Sequence, residues 1–366
     1  MLKKYLQKTG ALVLASMLAL LVLGMSACNN SSQDASTNSN ANDVAAANEE
    51  TAVPMDSPLP EISIPDPSKV TREIIIGTMV TEDILPMWVA ESESMFADHG
   101  IKARVETFQS AQELSLAVAS GSVDFAMTDP MVSASLAQSG TKITLHWVTL
   151  GATAEQGRFG IMANPESGVK TLADLAGKPI GVGSNTILEY VMDKLLEEAG
   201  VPQDKIVVEE LKKIPVRYEM MTSNQVPAAA LPGSLLALGE ATGMVLVADD
   251  TKGANLSQSV MIARDDFTNT EEGATALAIV RAIWDEAVAA INKNPAQYRS
   301  LLIEKALSAM PPAVQESYPV STYPEAAKPT NAMIDPVLDW MLEKGYLNEP
   351  LSYNQMTGKF GVAIVY

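Results

Sequence analysis

The chain has 366 residues, 47% of them hydrophobic, which is enough for two ordinary globular domains with cores of their own. Its formal net charge of −19 excludes nucleic acid as a partner, because a phosphate backbone needs a basic footprint. Apolar segments recur at helix and strand spacing from residue 73 to the end, so the chain is not disordered throughout.

The first elements belong to export rather than to the fold. Lys3, Lys4 and Lys8 precede an apolar run from Ala11 to Met25, and Met25-Ser26-Ala27-Cys28 closes it with small residues. These are the three regions of a secretory signal, expected over residues 1–27. The run is shorter than the roughly 20 residues a membrane-spanning helix needs. Cys28 is the only cysteine, so it forms no intramolecular disulfide. The stretch resembles a bacterial lipobox, with Met25 in place of the usual leucine. That resemblance implies diacylation of Cys28 (palmitate-type acyl chains) and a mature protein anchored at the extracytoplasmic face of the cell membrane. Loss of residues 1–27 removes three lysines and no acids, so −19 becomes −22, a charge that favours solubility. Residues 29–50 carry almost no large apolar side chains, and Pro54, Pro58, Pro60, Pro65 and Pro67 follow. Residues 28–70 are therefore expected to form a tether, with a reach of roughly 35 Å if flexible.

Strands and helices then alternate. Strands are expected at 73–79, 102–108, 124–127 and 142–150, with helices at 85–99, 111–119 and 130–138 between them. A second set follows: strands at 159–163, 179–182, 206–210, 228–231, 244–248 and 259–263, and helices at 187–199, 216–223 and 234–242. Long helices at 273–292, 295–307 and 335–344 close the chain. Such alternation implies right-handed crossovers and mostly parallel sheets flanked by helices. Two sets joined by polar crossovers at 151–157 and 249–258 point to two lobes: 71–152 with 258–366, and 153–257.

The order of elements, with WVAESESMFADHGIKARVETFQSAQELSLAVASGSVDFAMTDP, TLADLAGKPIGVGSNTILEYVMDKLLEEAGV and AAALPGSLLALGEATGMVLVADD, resembles the solute-binding proteins that include sulfonate, taurine and thiamine-pyrimidine binders. The resemblance covers residues 73–310. It implies an α/β, two-lobed periplasmic-binding-protein fold with a ligand cleft between the lobes. It also implies a protein, expected to be monomeric, that closes on a small molecule and delivers it to the permease of an ABC importer.

The candidate ligand residues follow from strand ends and helix starts. Gly181-Val182-Gly183 opens like a dinucleotide loop, but Thr186 stands where the third glycine would be, and no Gly-Lys-Ser/Thr ending follows. Thr186 and Glu189 read instead as a capping box. Free amides at that helix start would also favour an anion or carbonyl, so Ser184, Asn185 and Thr186 either cap only or contact ligand as well. Thr128 and Asp129 end a strand, where open α/β sheets place ligands, and Asp129-Pro130 is equally a standard helix start. An uncapped Asp129 would favour a cationic or hydrogen-donating ligand. Gln109 and Ser110 end another strand, with Ser110 and Glu113 a second capping box. Asp83 and Glu82 lie in the loop after the first strand, which the resemblance puts at the cleft. Trp88 either fills core or walls a pocket. The resemblance also puts Leu231-Pro232-Gly233 where a polar or acidic residue is common, which implies a less polar floor. Arg158 and Arg217 are the only arginines offered for an anion.

An enzyme is the alternative, since the resemblance extends to a pyrimidine synthase of thiamine formation that uses a histidine and a cysteine-rich motif. The only cysteine here is assigned to the anchor, and His99 and His146 lack zinc spacing. No Gly-x-Ser-x-Gly elbow is present either. No catalytic residue, metal or cofactor is therefore expected; a non-transport adhesion lipoprotein is the third alternative.

Overall fold

The computed structural model describes residues 63–306 and 311–363; Cys28, the expected signal and most of the expected tether lie outside the described residues. In chain order the elements are β1 (Ile74–Met79), α1 (Leu85–Ser92), α2 (Met95–Asp98), β2 (Ala103–Phe108), α3 (Ala111–Ser120), β3 (Phe125–Thr128), α4 (Pro130–Gln138) and β4 (Ile143–Leu150). Then come β5 (Phe159–Ala163), β6 (Pro179–Val182), α5 (Ile187–Glu198), β7 (Val207–Glu210), α6 (Ile214–Thr222), β8 (Ala228–Pro232), α7 (Gly233–Ala241) and β9 (Val245–Asp249). The chain continues through β10 (Ser259–Arg264), α8 (Asp265–Thr268), α9 (Glu271–Lys293), α10 (Arg299–Ala306), α11 (Pro312–Gln315) and α12 (Asn331–Glu343). It ends in the hairpin β11 (Leu351–Asn354) and β12 (Lys359–Val362).

Two five-stranded sheets result, ordered β2-β1-β3-β10-β4 and β7-β6-β8-β5-β9. Four strands of each run one way and one is reversed: β10 pairs antiparallel with β3 and β4, and β5 with β8 and β9. The reversed strand is in each case the first that the chain enters after crossing from the other sheet. The crossing segments run side by side. Gly151 adopts φ 85°, and a Cβ there would lie 1.8 Å from the Ser257 carbonyl oxygen. Asn255 Nδ2 also donates to the Gly151 carbonyl at 2.7 Å.

The strands carry apolar residues on both faces because both faces are covered. In the first sheet Trp147 meets Trp284 of α9 at 6.0 Å between ring centroids, while Leu145 and Val148 belong to the apolar cluster that includes Met333, Ile334 and Val337 of α12. Trp88 is 2% exposed and fills this sheet's core with Ile283 and Trp284 rather than walling a pocket. In the second sheet α5 buries Leu188, Val191 and Leu195 beside Ile161 and Ile180, and Met162, Leu231 and Leu236 pack with Met221 of α6.

Three expectations need correction. The single helix expected over 85–99 breaks at Ser94, which adopts φ 63°, a left-handed conformation that ends α1 before α2 starts. The tether expected through residue 70 is already folded chain by Asp66, whose carboxylate caps a 3-10 turn at Pro67–Lys69; Lys69 pairs with Glu271 of α9. The last helix starts at Asn331 rather than 335, carrying Pro336 within it.

Candidate functional site

The strand ends of both sheets enclose an inner cavity of about 30 Å³, room for about two waters. The first sheet with its helices and loops contributes Met79, Thr81, Asp83, Ala111, Met127, Thr128, Asp129 and Ser259, and the second with its own Phe159, Thr186, Ile187, Leu188, Lys212, Ile214 and Arg217. Phe159 and Ser259 are the first residues of the two reversed strands, so their starts lie among the carboxyl ends of the others. An outer cavity of about 250 Å³ adjoins it and shares Ala111, Thr186 and Lys212. Its other lining residues include Ser110, Ser135, Ser184 and Asn185.

Asp129 joins the two lobes. Its Oδ1 accepts from the Val132 amide at 2.8 Å, capping its own helix α4, and its Oδ2 accepts from the Ile187 amide at 3.1 Å, the first residue of α5 in the other lobe. One carboxylate thus faces two positive helix starts. Burial pushes its pKa up to about 6, against the pull of the Val132, Ile187 and Met131 amides, and Asp83 raises it further. Asp83 is 3% exposed, takes a hydrogen bond from Ser259 Oγ, and has its pKa raised by burial. Glu82 accepts from the Tyr318 hydroxyl at 2.8 Å, and burial pushes it up to about 7. It lies outside the cavity lining, beside Gly233, where a Cβ would come within 3.0 Å of Glu82 Oε1. A Cβ at Gly233 would come closer still, 2.8 Å, to the Arg158 carbonyl, and neither Gly233 nor Pro232 lines the inner cavity.

Arg217 is the one buried cation lining the inner cavity. It is 1% exposed and donates to the Leu211 and Ala230 carbonyls at 3.0 and 2.9 Å, with a longer contact of 3.5 Å to Lys212 O. Among the described residues no carboxylate lies within ion-pair distance of it. Burial lowers its pKa to about 10, with Glu210 opposing, so it stays charged at neutral pH. Gly183 makes room for it: a Cβ there would sit 3.0 Å from Arg217 Nη2. Arg158, the other arginine considered, is held by Asp249 at 2.8 Å and Glu240 at 3.0 Å.

The turn Ser184–Asn185–Thr186 departs from its expected role. Thr186 Oγ1 donates back to the Gly183 carbonyl at 2.7 Å instead of capping α5, and Glu189 accepts from the Asn185 amide at 2.7 Å. The reciprocal box does not form: the Glu189 amide bonds the Thr186 carbonyl, and Asp129 takes the Ile187 amide from across the cleft. Asn185, at φ 57°, reaches over with Nδ2 to Ser135 Oγ at 2.7 Å. The Ser184 amide and hydroxyl both turn to Glu210 of their own lobe. The second box is partly formed: Ser110 Oγ accepts from the Glu113 amide at 3.2 Å, while Glu113 takes the Gln109 amide at 3.1 Å. Gln109 is exposed and lines neither cavity. Asp83, Thr128, Asp129 and Thr186 line the inner cavity, and Ser110, Ser184 and Asn185 the outer one.

Among the described residues no cluster of three His, Cys, Asp or Glu side chains is arranged to hold a metal ion, and no helix is long and apolar enough to cross a membrane. His99 pairs with Glu286 at 2.8 Å, and burial holds His146 near pKa 4.

A bilobed α/β body with its cavity at facing strand ends is the fold of the periplasmic binding proteins. The NMT1/THI5 like family model matches residues 81–298, and the chain belongs to that family. Among solved structures it is similar to the alkanesulfonate-binding protein SsuA of Xanthomonas axonopodis pv. citri bound to MOPS. That match has 18% identity and a TM-score of 0.65 over 76% of this chain and 95% of that one. The periplasmic aliphatic sulphonate binding protein SsuA of Escherichia coli matches at 19% identity and TM-score 0.61, over 80% and 94%. The desulfurization enzyme DSZB shares the fold at 14% identity and TM-score 0.56, over 76% and 94%, so the architecture also accommodates catalysts. No curated protein matches the sequence.

Proposed function

We propose that the protein is an extracytoplasmic solute-binding lipoprotein that captures a small molecule between its lobes and hands it to an ABC importer. The observation that carries this reading is the shared lining of the inner cavity: both lobes contribute, through strand ends and helix starts, while only two segments connect them. A ligand touching both halves stabilises the closed form by its differential affinity for it. The lobes in this reading are 71–152 with 258–366, and 153–257, hinged at the two crossings. In this reading the lobes part to admit a solute larger than the inner cavity of about 30 Å³.

Binding is favoured over catalysis because the lining contains neither histidine nor cysteine, and so no activated nucleophile of the Ser–His or Cys–His kind. The similar alkanesulfonate-binding protein is bound to MOPS, which supports a small polar ligand for this chain. The lipobox-like Met25-Ser26-Ala27-Cys28 supports anchoring through Cys28, with the mature protein acting as a monomer beside its permease.

Small-angle scattering of the protein lacking residues 1–62, with thermal-shift screening, tests the reading. A binding solute should reduce the radius of gyration or raise Tm through linkage. Absence of both with every solute would overturn it. For the anchor, wild-type protein should partition into the detergent phase and Cys28→Ala into the aqueous phase.

A further inference from the structure

The inner cavity carries more polar capacity than its own walls use. On the first lobe Asp83 and Asp129 are 3% and 2% exposed, and each carboxylate keeps acceptor sites beyond the bonds described. Beside them the Thr128 hydroxyl, on a residue 2% exposed, has no hydrogen-bond partner. A buried hydroxyl without a partner costs free energy unless something else supplies one. On the second lobe Arg217 faces the same cavity, its described bonds going to backbone carbonyls and none to an acid. A guanidinium has five N–H groups, and the three carbonyl contacts leave donors over.

Two carboxylates on one wall face the buried Arg217 guanidinium on the other, where the exposed Lys212 ammonium is bonded to Gln112 Oε1 at 2.9 Å, and the cavity is dipolar. A simple anion would satisfy Arg217 but would have to lie against Asp83 and Asp129, where the low dielectric makes like-charge contact costly. A group bearing N–H donors removes that repulsion and gives the orphaned Thr128 oxygen a donor at the same time. Resting on the solute-binding reading above, we infer that the ligand is a small dipolar solute: an ammonium, amidinium or amino group meets Asp83, Asp129 and Thr128, and an acidic or other acceptor group meets Arg217. Alkanesulfonates and carboxylates without an amino group are then poor ligands.

Matched pairs isolate the donor end: β-alanine with propionate, taurine with ethanesulfonate, 4-(aminomethyl)benzoate with benzoate. Titration calorimetry on the protein lacking residues 1–62 should show at least one amino member binding tenfold or more tighter than its partner. Asp83→Asn should abolish that preference. Thr128→Val, which removes a hydroxyl without an internal bond, should not lower the Tm of the unliganded protein while weakening the amino compound several-fold. If the plain anions bind as tightly as their amino partners, or Thr128→Val leaves affinity intact, the inference is overturned and the solute-binding reading stands. If no compound binds and scattering shows no compaction, both fall.

Discussion

Lys344 sits 2.9 Å from Asp193, an ion pair between the end of the C-terminal helix of lobe I and α5 of lobe II. The same ammonium is 3.0 Å from Glu189. The Trp340 indole N–H donates to Asp193 at 3.0 Å, and the Tyr346 hydroxyl to Glu189 at 2.7 Å. Glu189 and Asp193 are 1% and 4% exposed, so two buried acids of one lobe share one ammonium of the other and take hydrogen bonds from its Trp340 and Tyr346. Parting the lobes on this side would break all of these contacts. Lys344→Met should therefore destabilise the closed protein by about 3 kcal/mol, since it leaves buried carboxylates unpaired. Thermal denaturation and scattering should report a lower Tm and a larger radius of gyration; an unchanged protein would mean that the latch carries no weight.

A second prediction concerns the hinge. Gly151 combines φ 85° with the Ser257 carbonyl in the space of its absent Cβ. Gly151→Ala is expected to cost more than about 1 kcal/mol, because alanine is strained at positive φ and the clash is with backbone. The neighbouring turn at Gly253, with φ 88° and no heavy atom within 4 Å of where a Cβ would stand, gives the control. Gly253→Ala bears the same conformational strain without the collision and should cost less, measured by chemical denaturation.

The third is a pH dependence. Burial pushes Asp250 from 3.8 up to about 7, and its neighbour Asp249 adds to the rise, against hydrogen bonds from Ser257 and the Phe159 amide. The folded state therefore holds a proton that the unfolded state has lost between about pH 4 and 7. Stability contributed by this group falls as pH rises through that window. His146 acts in the opposite direction between 6.5 and about 4, so the wild-type profile alone does not isolate Asp250. Asp250→Asn keeps the acceptor for the Phe159 amide and should raise stability at pH 8 by at least about 1 kcal/mol, with little gain at pH 4. Equal effects at the two pH values would contradict the assignment.

A fourth follows from the turn before α5. Since Thr186 Oγ1 serves the Gly183 carbonyl, Thr186→Ala should cost about 1 kcal/mol, the worth of one hydrogen bond. Asp129→Ala should cost more, because two helices lose their acceptor at once. Urea denaturation of the two variants side by side distinguishes them.

Most of the fold was legible because buried strands such as Ile74–Met79 and Phe159–Ala163 are short apolar runs bounded by turn residues. The break at Ser94 was not, since Val89 and Phe96 continue the helical spacing through it. The terminal hairpin was also missed: its strands are four residues each and only Tyr353 is buried. At the site, the strand-end rule pointed to Thr128 and Asp129, the helix start to Thr186 and the resemblance to Asp83, and all four line the inner cavity. Phe159 and Ser259 escaped that rule because they begin their strands, and strand direction is settled by pairing between residues far apart in the chain. Arg217 was noticed only as an arginine, since nothing local reveals that the Gly183 turn opens space for it. The turn before α5 was equally hidden: Thr186 Oγ1 bonds the Gly183 carbonyl, and the acceptor for the Ile187 amide comes from 58 residues away.

Leu150 and Ser259 are register partners, so the chain leaves the first sheet and re-enters it at one point, with the whole second sheet inserted between. Both ends of the described fold, at Pro67–Lys69 and at the β11–β12 hairpin, lie on the first lobe, against α9 and β4. Tension between those ends is borne by β4–β10 pairing and by the first lobe's core, bypassing the crossings. A pull from an N-terminal leash would load one lobe and leave the other free to swing.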